Sequence, residues 1–411
     1  THAIEALDYD GNGILDLALG GGSSGLSISR GLENGKCVRA GGSGDFGCVR
    51  FLAAGDIDRD GKGDLALICD QGRVMTIGIS RGNGYYRDTL RAPLSGGEVT
   101  PAIADLNGDG NEDVAVTAAG KAGLVLHLGT GDGTFLSPPL LFGPIGKAPF
   151  FFLARDLDLD GRNDAVTAGP GSASLTILWG RDGARFLESA AVVDGFGSAK
   201  GFALADFDRD GKLDFFLPNQ VTREVFVYLN PGGASSSKSS FTILTASTYR
   251  SLEVLDLDGD GVLDLAGTSL PDLAVVALLG ADGSVHGELA LPAGQTPAAI
   301  RAGMLDEGGT WDLAVPCSGS NHIAVFLGLG GGRFAGARTV ATVEDPRGIA
   351  LGDLDGDGRT DVTVVSRKAV AAHYGRAGGA FSEPVLLASD TAAAGGLVDA
   401  VVGNILGDAS A

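Results

Sequence analysis

The stretch Asp256-Leu-Asp-Gly-Asp-Gly-Val-Leu-Asp264 sets carboxylates at positions 1, 3, 5 and 9 around a glycine at position 6. Six more copies stand elsewhere in the chain. Their oxygen-bearing residues are Asp8, Asp10, Asn12 and Asp16; Asp56, Asp58, Asp60 and Asp64; Asp105, Asn107, Asp109 and Asp113; Asp156, Asp158, Asp160 and Asp164; Asp206, Asp208, Asp210 and Asp214; and Asp353, Asp355, Asp357 and Asp361. Hard oxygen donors at alternate positions of a short loop suit a hard cation. Position 6 is glycine in all seven copies, as expected where a chain wrapping an ion must turn sharply. Position 7 is Ile14, Lys62, Asn111, Arg162, Lys212, Val262 and Arg359 in turn. A position so indifferent to its side chain fits a ligand offered by the backbone carbonyl.

The first aspartates of the copies recur about every fifty residues, with one double gap before Asp353. A worn copy fills the gap, Met304-Leu-Asp306-Glu-Gly-Gly-Thr-Trp-Asp312, where Met304 and Gly308 replace the first and third oxygen ligands. It keeps Asp306 and Asp312, and no tight ion is expected there. Eight repeats starting near residues 1, 49, 98, 149, 199, 249, 297 and 346 account for residues 1–394. Residues 395–411 read as the start of a ninth register, near Asn404, which suggests a piece of a larger protein or assembly.

Within a repeat an apolar run such as Phe51-Leu-Ala-Ala enters the loop and another, Leu65-Ala-Leu-Ile, leaves it. A third run, as in Leu124-Val-Leu-His-Leu, ends in a glycine turn with an aromatic, as in Gly129-Thr-Gly-Asp-Gly-Thr-Phe135. A fourth, weaker strand follows. Four strands in fifty residues leave no room for a helix and make one blade of a β-propeller. Eight blades are expected, with seven as the alternative; a linear solenoid would want shorter repeats and capping ends. Pro231 to Ser240 is a Gly/Ser-rich insertion in the fifth repeat.

Composition agrees with a soluble all-β chain. Of 411 residues 44% are apolar and 68 are glycine, without the strict period of collagen. No apolar run reaches the roughly 18 residues of a membrane helix. The net charge of −21 argues against nucleic acid and anionic membrane surfaces. Roughly half of the 51 acidic residues lie in the loops, and seven divalent ions would offset about two-thirds of the net charge. Cys37 and Cys48 flank a glycine-rich stretch and could close a small disulfide in an oxidising compartment, whereas Cys69 and Cys317 read as buried small residues.

Calcium is favoured over magnesium because six or seven oxygens in a flexible loop suit the larger ion. Zinc and copper would want thiolate or imidazole. An EF-hand would place a bidentate Glu at position 12 between helices, but Leu19, Leu67 and Val116 stand there. The loops and the Gly-x-Gly-x-Phe turn together resemble the FG-GAP/VCBS repeat family, best known from the heads of integrin α subunits. The resemblance covers nearly the whole chain. It implies a propeller with calcium in the loop joining the first two strands of most blades, held by the loop residues named above. Members include adhesion receptors and fungal lectins, so the partner does not transfer with the fold.

No catalytic constellation stands out. His127 and His373 share a third-strand position that suits packing, H-E-x-x-H does not occur, and Glu98, Glu188 and Glu253 are scattered. The expected function is a non-enzymatic, calcium-stabilised interaction or scaffold module, secreted, periplasmic or on a cell surface, with a protein or glycan partner. A calcium-dependent lectin is the alternative, for which Trp311 is the aromatic to watch; Trp179 suits packing between blades. A polysaccharide lyase is a further alternative, and no base for it is identifiable.

Overall fold

The computed structural model of the chain describes residues 3–389, apart from residues 22–24, 33–36, 42–45, 47–48, 70–73, 95–100, 119–122, 143–150, 170–173, 182–184, 188–192, 195–201, 220–221, 231, 233–238 and 367. Cys48, the end of the chain from residue 390, and with them the proposed disulfide and ninth register, lie outside the described residues. Among the described residues there is no α-helix, and none long and apolar enough to cross a membrane.

Eight antiparallel sheets follow one another along the chain. In blade 2 the strands Val49–Gly55, Asp64–Cys69, Val74–Ser80 and Tyr86–Pro93 pair in sequence order. The first strands of blades 1 and 3 to 8 are Ala3–Leu7, Pro101–Ala104, Phe151–Arg155, Ala203–Ala205, Ser251–Leu255, Arg301–Gly303 and Pro346–Gly352. The blade count is therefore eight. Blades 7 and 8 insert a small hairpin before their fourth strand, Gly328–Gly330 with Arg333–Phe334 and Gly375–Arg376 with Ala380–Phe381.

The second strands explain why the apolar runs are continuous rather than alternating. Side chains alternate across a strand, and here both faces of the sheet meet a neighbouring blade. Leu65 and Leu67 pack towards blade 1, whereas Ala66 and Ile68 pack towards blade 3. Every adjacent pair of blades has its own hydrophobic cluster, so the core is a ring of eight seams. The last seam closes the ring: Leu17, Leu19 and Ala6 of blade 1 pack against Ala350, Val365 and Val370 of blade 8. Closure is by packing, because each end blade is built from its own stretch of chain.

The register places the loops. In every blade the last residue of the first strand faces the position-9 aspartate that opens the second, as in Leu7 with Asp16 and Gly352 with Asp361. The loop is thus the whole connection between those two strands. It shares one end of the blade with the glycine turn between the third and fourth strands.

Candidate metal centres

Position 2 pins each loop down. Tyr9, Ile57, Leu106, Leu157, Phe207, Leu257, Leu305 and Leu354 all insert into the seam with the following blade. The position-9 carboxylate then ties the loop to the blade. Its Oδ2 accepts the position-2 N–H, at 2.9 Å from Tyr9 to Asp16 and 3.0 Å from Leu257 to Asp264. Its Oδ1 accepts an N–H from the far end of the third strand or just beyond, at 2.7 Å from Gly31 to Asp16 and 2.9 Å from Leu279 to Asp264. The same pair of bonds recurs in all eight blades, including the worn loop, where Asp312 accepts from Leu305 and Gly328 at 2.7 Å each. Position 9 therefore does structural work that spacing alone does not reveal.

The third-strand donor is often glycine for a steric reason. A Cβ on Gly129 would lie 2.1 Å from the Glu112 carbonyl oxygen. Where a polar residue stands instead, it bridges blades: Ser80 Oγ donates to the Tyr9 carbonyl and Asn230 Nδ2 to the Leu157 carbonyl, both at 2.7 Å.

Positions 1 and 5 shape the loop itself. The first carboxylate accepts N–H groups from the turn, so that Asp353 receives Gly356 and Gly358 at 2.8 Å each. The position-5 oxygen accepts the position-7 N–H, at 2.7 Å from Ile14 to Asn12 and 2.7 Å from Val262 to Asp260. All seven position-6 glycines have positive φ, between 81° at Gly61 and 89° at Gly211. Position 4 also has positive φ in every intact loop, and in three of them the residue is not glycine: Arg59, Leu159 and Arg209.

Two opposite effects on stability follow. Gly358→Ala, where an added Cβ meets open space, is expected to cost about 1–2 kcal/mol through its φ of 82° alone. Leu159→Gly is expected to relieve the same strain and gain up to about 1 kcal/mol after its larger unfolded-state entropy is subtracted. Urea denaturation of both variants checks the signs.

The carboxylates converge. Oxygens of Asp8, Asp10 and Asp16 lie within 4.8 Å of one another, as do those of Asp56, Asp58 and Asp64, of Asp156, Asp158 and Asp164, of Asp206, Asp208 and Asp210, and of Asp256, Asp258 and Asp260. The worn loop has lost this convergence at its outset: Met304 is an exposed apolar side chain where the first carboxylate would stand. Three carboxylate oxygens at position 1 or 3, Asp10 Oδ1, Asp158 Oδ1 and Asp206 Oδ1, are buried without a hydrogen-bond partner among the described residues. Buried polar atoms left unpaired are rare and costly. Orphaned carboxylate oxygens facing other carboxylates fit a divalent cation. The donor set, all oxygen, matches calcium chemistry.

Burial pushes the position-9 carboxyls up, to about 7 for Asp64 and about 6 for Asp16, Asp113, Asp164, Asp214 and Asp264. Their backbone donors pull the other way and the neighbouring loop carboxylates add to the rise. A carboxyl raised in the folded state binds a proton more readily there than in the unfolded chain, so stability falls as pH rises through the raised value. Metal-free protein is therefore expected to melt at higher temperature at pH 5.5 than at pH 8. With calcium present the trend should flatten or invert, since protons compete with the ion. Thermal melts of the demetallated and calcium-loaded protein across that range test it.

Basic side chains approach some loops. Lys212 Nζ lies 2.6 Å from Asp210, Arg359 2.8 Å from Asp357 and Arg162 3.4 Å from Asp160, and Lys62 pairs with Asp60. Position 7 thus pairs a basic side chain with position 5 in four loops, where the sequence suggests only a carbonyl. Arg30 pairs with Asp10 at 2.8 Å.

The other singled-out residues serve the fold. Trp179 is buried in the seam of blades 4 and 5, and Trp311 is half-buried against the seam of blades 6 and 7. His127 and His373 are buried, the latter bonded to Thr342 and Ser382. Cys69 and Cys317 are buried, and Glu253 pairs with Arg301 of the next blade. Glu98 and Glu188 lie outside the described residues.

A profile of the FG-GAP-like repeat matches residues 56–116, 105–167, 156–217 and 305–364, more than half of the chain. The protein belongs to the FG-GAP-like repeat family, as an eight-bladed β-propeller. No curated protein sequence matches it. Among solved structures, an Agrocybe aegerita lectin that recognises non-reducing terminal N-acetylglucosamine is similar over 94% of each chain, at 17% identity and a TM-score of 0.53. The dihydro-heme d1 dehydrogenase NirN is similar over 84% of this chain and 68% of its own, at 12% identity and a TM-score of 0.52. A lectin and a dehydrogenase on one architecture illustrate that this likeness speaks for the fold alone.

Proposed function

We propose that the protein is a non-enzymatic propeller whose loops bind calcium for stability, and that it presents its surface to a partner outside the cytosol. The carrying observation is the repeated convergence of loop carboxylates, with buried oxygens at Asp10, Asp158 and Asp206 that no hydrogen bond satisfies. Bound calcium would supply charge neutralisation, letting carboxylates that repel one another share a turn. The loops sit at the exposed end of each blade, and exposed sites of this kind suit millimolar extracellular calcium. A secreted, periplasmic or cell-surface location follows from that requirement. His127, His373, Cys69 and Cys317 are taken up by packing and hydrogen bonds, which favours a binding role over catalysis.

Equilibrium dialysis against calcium tests the metal directly. Several ions per chain, approaching seven, are expected; fewer than one sinks the reading. A glycan array in calcium then separates a lectin from a protein-binding scaffold. The half-buried seam position of Trp311 favours the scaffold.

A further inference from the structure

We infer that the seven loops are graded cation sites, ranked by whether a basic side chain already holds a loop carboxylate, and that the blade 6 loop fills first. This rests on the calcium reading above and deepens it.

In blades 2, 4, 5 and 8 the position-7 residue is Lys62, Arg162, Lys212 or Arg359, and each turns back onto the position-5 carboxylate two residues earlier. Blade 4 is held twice, because Arg181 also reaches Asp160 at 3.2 Å and Asp158 at 3.7 Å. In those loops one oxygen of the position-5 carboxylate takes the position-7 N–H and the other takes the cation, so a metal ion must share or displace an internal counter-ion. Blade 1 has Ile14 at position 7, but Arg30 holds Asp10 and Asn12 removes one charge. Blade 3 has amides at Asn107 and Asn111, with Asn107 Nδ2 donating to Asp109 at 3.0 Å.

Blade 6 differs from all of these. It has four aspartates and Val262 at position 7. Asp258 accepts the Asp260 N–H at 3.0 Å and Asp260 accepts the Val262 N–H at 2.7 Å. Among the described residues no Lys or Arg pairs with Asp256, Asp258 or Asp260. Arg209 from blade 5 reaches this loop but donates to the Gly261 carbonyl, and among the described residues to none of its carboxylates. Among the described residues, blade 6 thus offers an incoming ion loop carboxylates that no basic side chain holds.

In water a unit charge about 6 Å from a divalent ion changes its dissociation constant about tenfold. The test is a calcium titration of the full chain at low ionic strength, in competition with a chromophoric chelator that resolves the stepwise constants. Val262→Lys is expected to weaken the tightest step about tenfold, and Lys212→Val to add a second step about tenfold tighter than its parent group. Far-UV circular dichroism checks that each variant is folded. A lysine stem can lie where valine packs, as at Lys212, and Lys212→Val carries the test by itself if Val262→Lys does not fold. Wild-type stepwise constants in a folded Lys212→Val variant overturn the grading, even if calcium binds. No calcium uptake by any form, wild type included, overturns the calcium reading itself.

Discussion

Stripping calcium with a chelator at neutral pH is expected to lower the thermal midpoint by about 20 °C. One site held at a hundred times its dissociation constant adds about 2.7 kcal/mol, and seven such sites add about 19 kcal/mol. Unfolding entropy of about 2.1 cal/mol/K per residue converts that sum to roughly 20 °C for a chain of this length. The loops are spaced around the whole ring and each is anchored in a seam by its position-2 side chain, so their loss is felt by every blade. Differential scanning calorimetry with and without EGTA measures it. An unchanged midpoint would leave the converging carboxylates without a cation.

The second large effect concerns a loop in which no tight ion is expected. Asp312→Ala should destabilise the protein by about 4 kcal/mol, equally in calcium and in chelator. Its carboxylate is fully buried and accepts three backbone N–H groups, from Leu305, Gly328 and, at 3.2 Å, Asp306. Truncation leaves the Leu305 and Gly328 donors unsatisfied at the seam between blades 7 and 8, at about 1–3 kcal/mol each, besides the longer bond from Asp306. Asp306→Ala, in the same loop, removes a carboxylate that accepts the Gly308 N–H of the exposed turn, and should cost far less. Denaturant titrations of both variants, each with and without calcium, separate the roles. If the Asp312→Ala loss vanished in chelator, position 9 would be a ligand first and a clamp second.

Much of this architecture is legible in the residues. The loop period, the invariant glycine at position 6 and the runs that enter and leave each loop point to blades and to an oxygen-rich turn. The structure places positive φ at each of those glycines and the turn at each strand junction. What stayed hidden has physical causes. Arg59, Leu159 and Arg209 adopt left-handed backbone at position 4, and nothing in an arginine or a leucine signals that. The aspartate at position 9 reads as one more ligand because its second partner lies about fifteen residues along the chain, at the end of another strand. The lysines and arginines of position 7 look like tolerated variety until their side chains are seen folded back on Asp60, Asp160, Asp210 and Asp357. Trp311 stands out by type, but its place in a seam depends on which blade lies beside it.

Ring closure between blades 8 and 1 uses the same kind of apolar seam as the other seven junctions, with no strand borrowed across it among the described residues. Each blade is therefore a self-contained cassette. Duplication or loss of one fifty-residue segment changes the ring by a whole member and leaves every remaining sheet intact. The worn loop of blade 7 then has a natural place in the lineage: a cassette can shed its first and third ligands and persist, because its neighbours still supply both walls of its core.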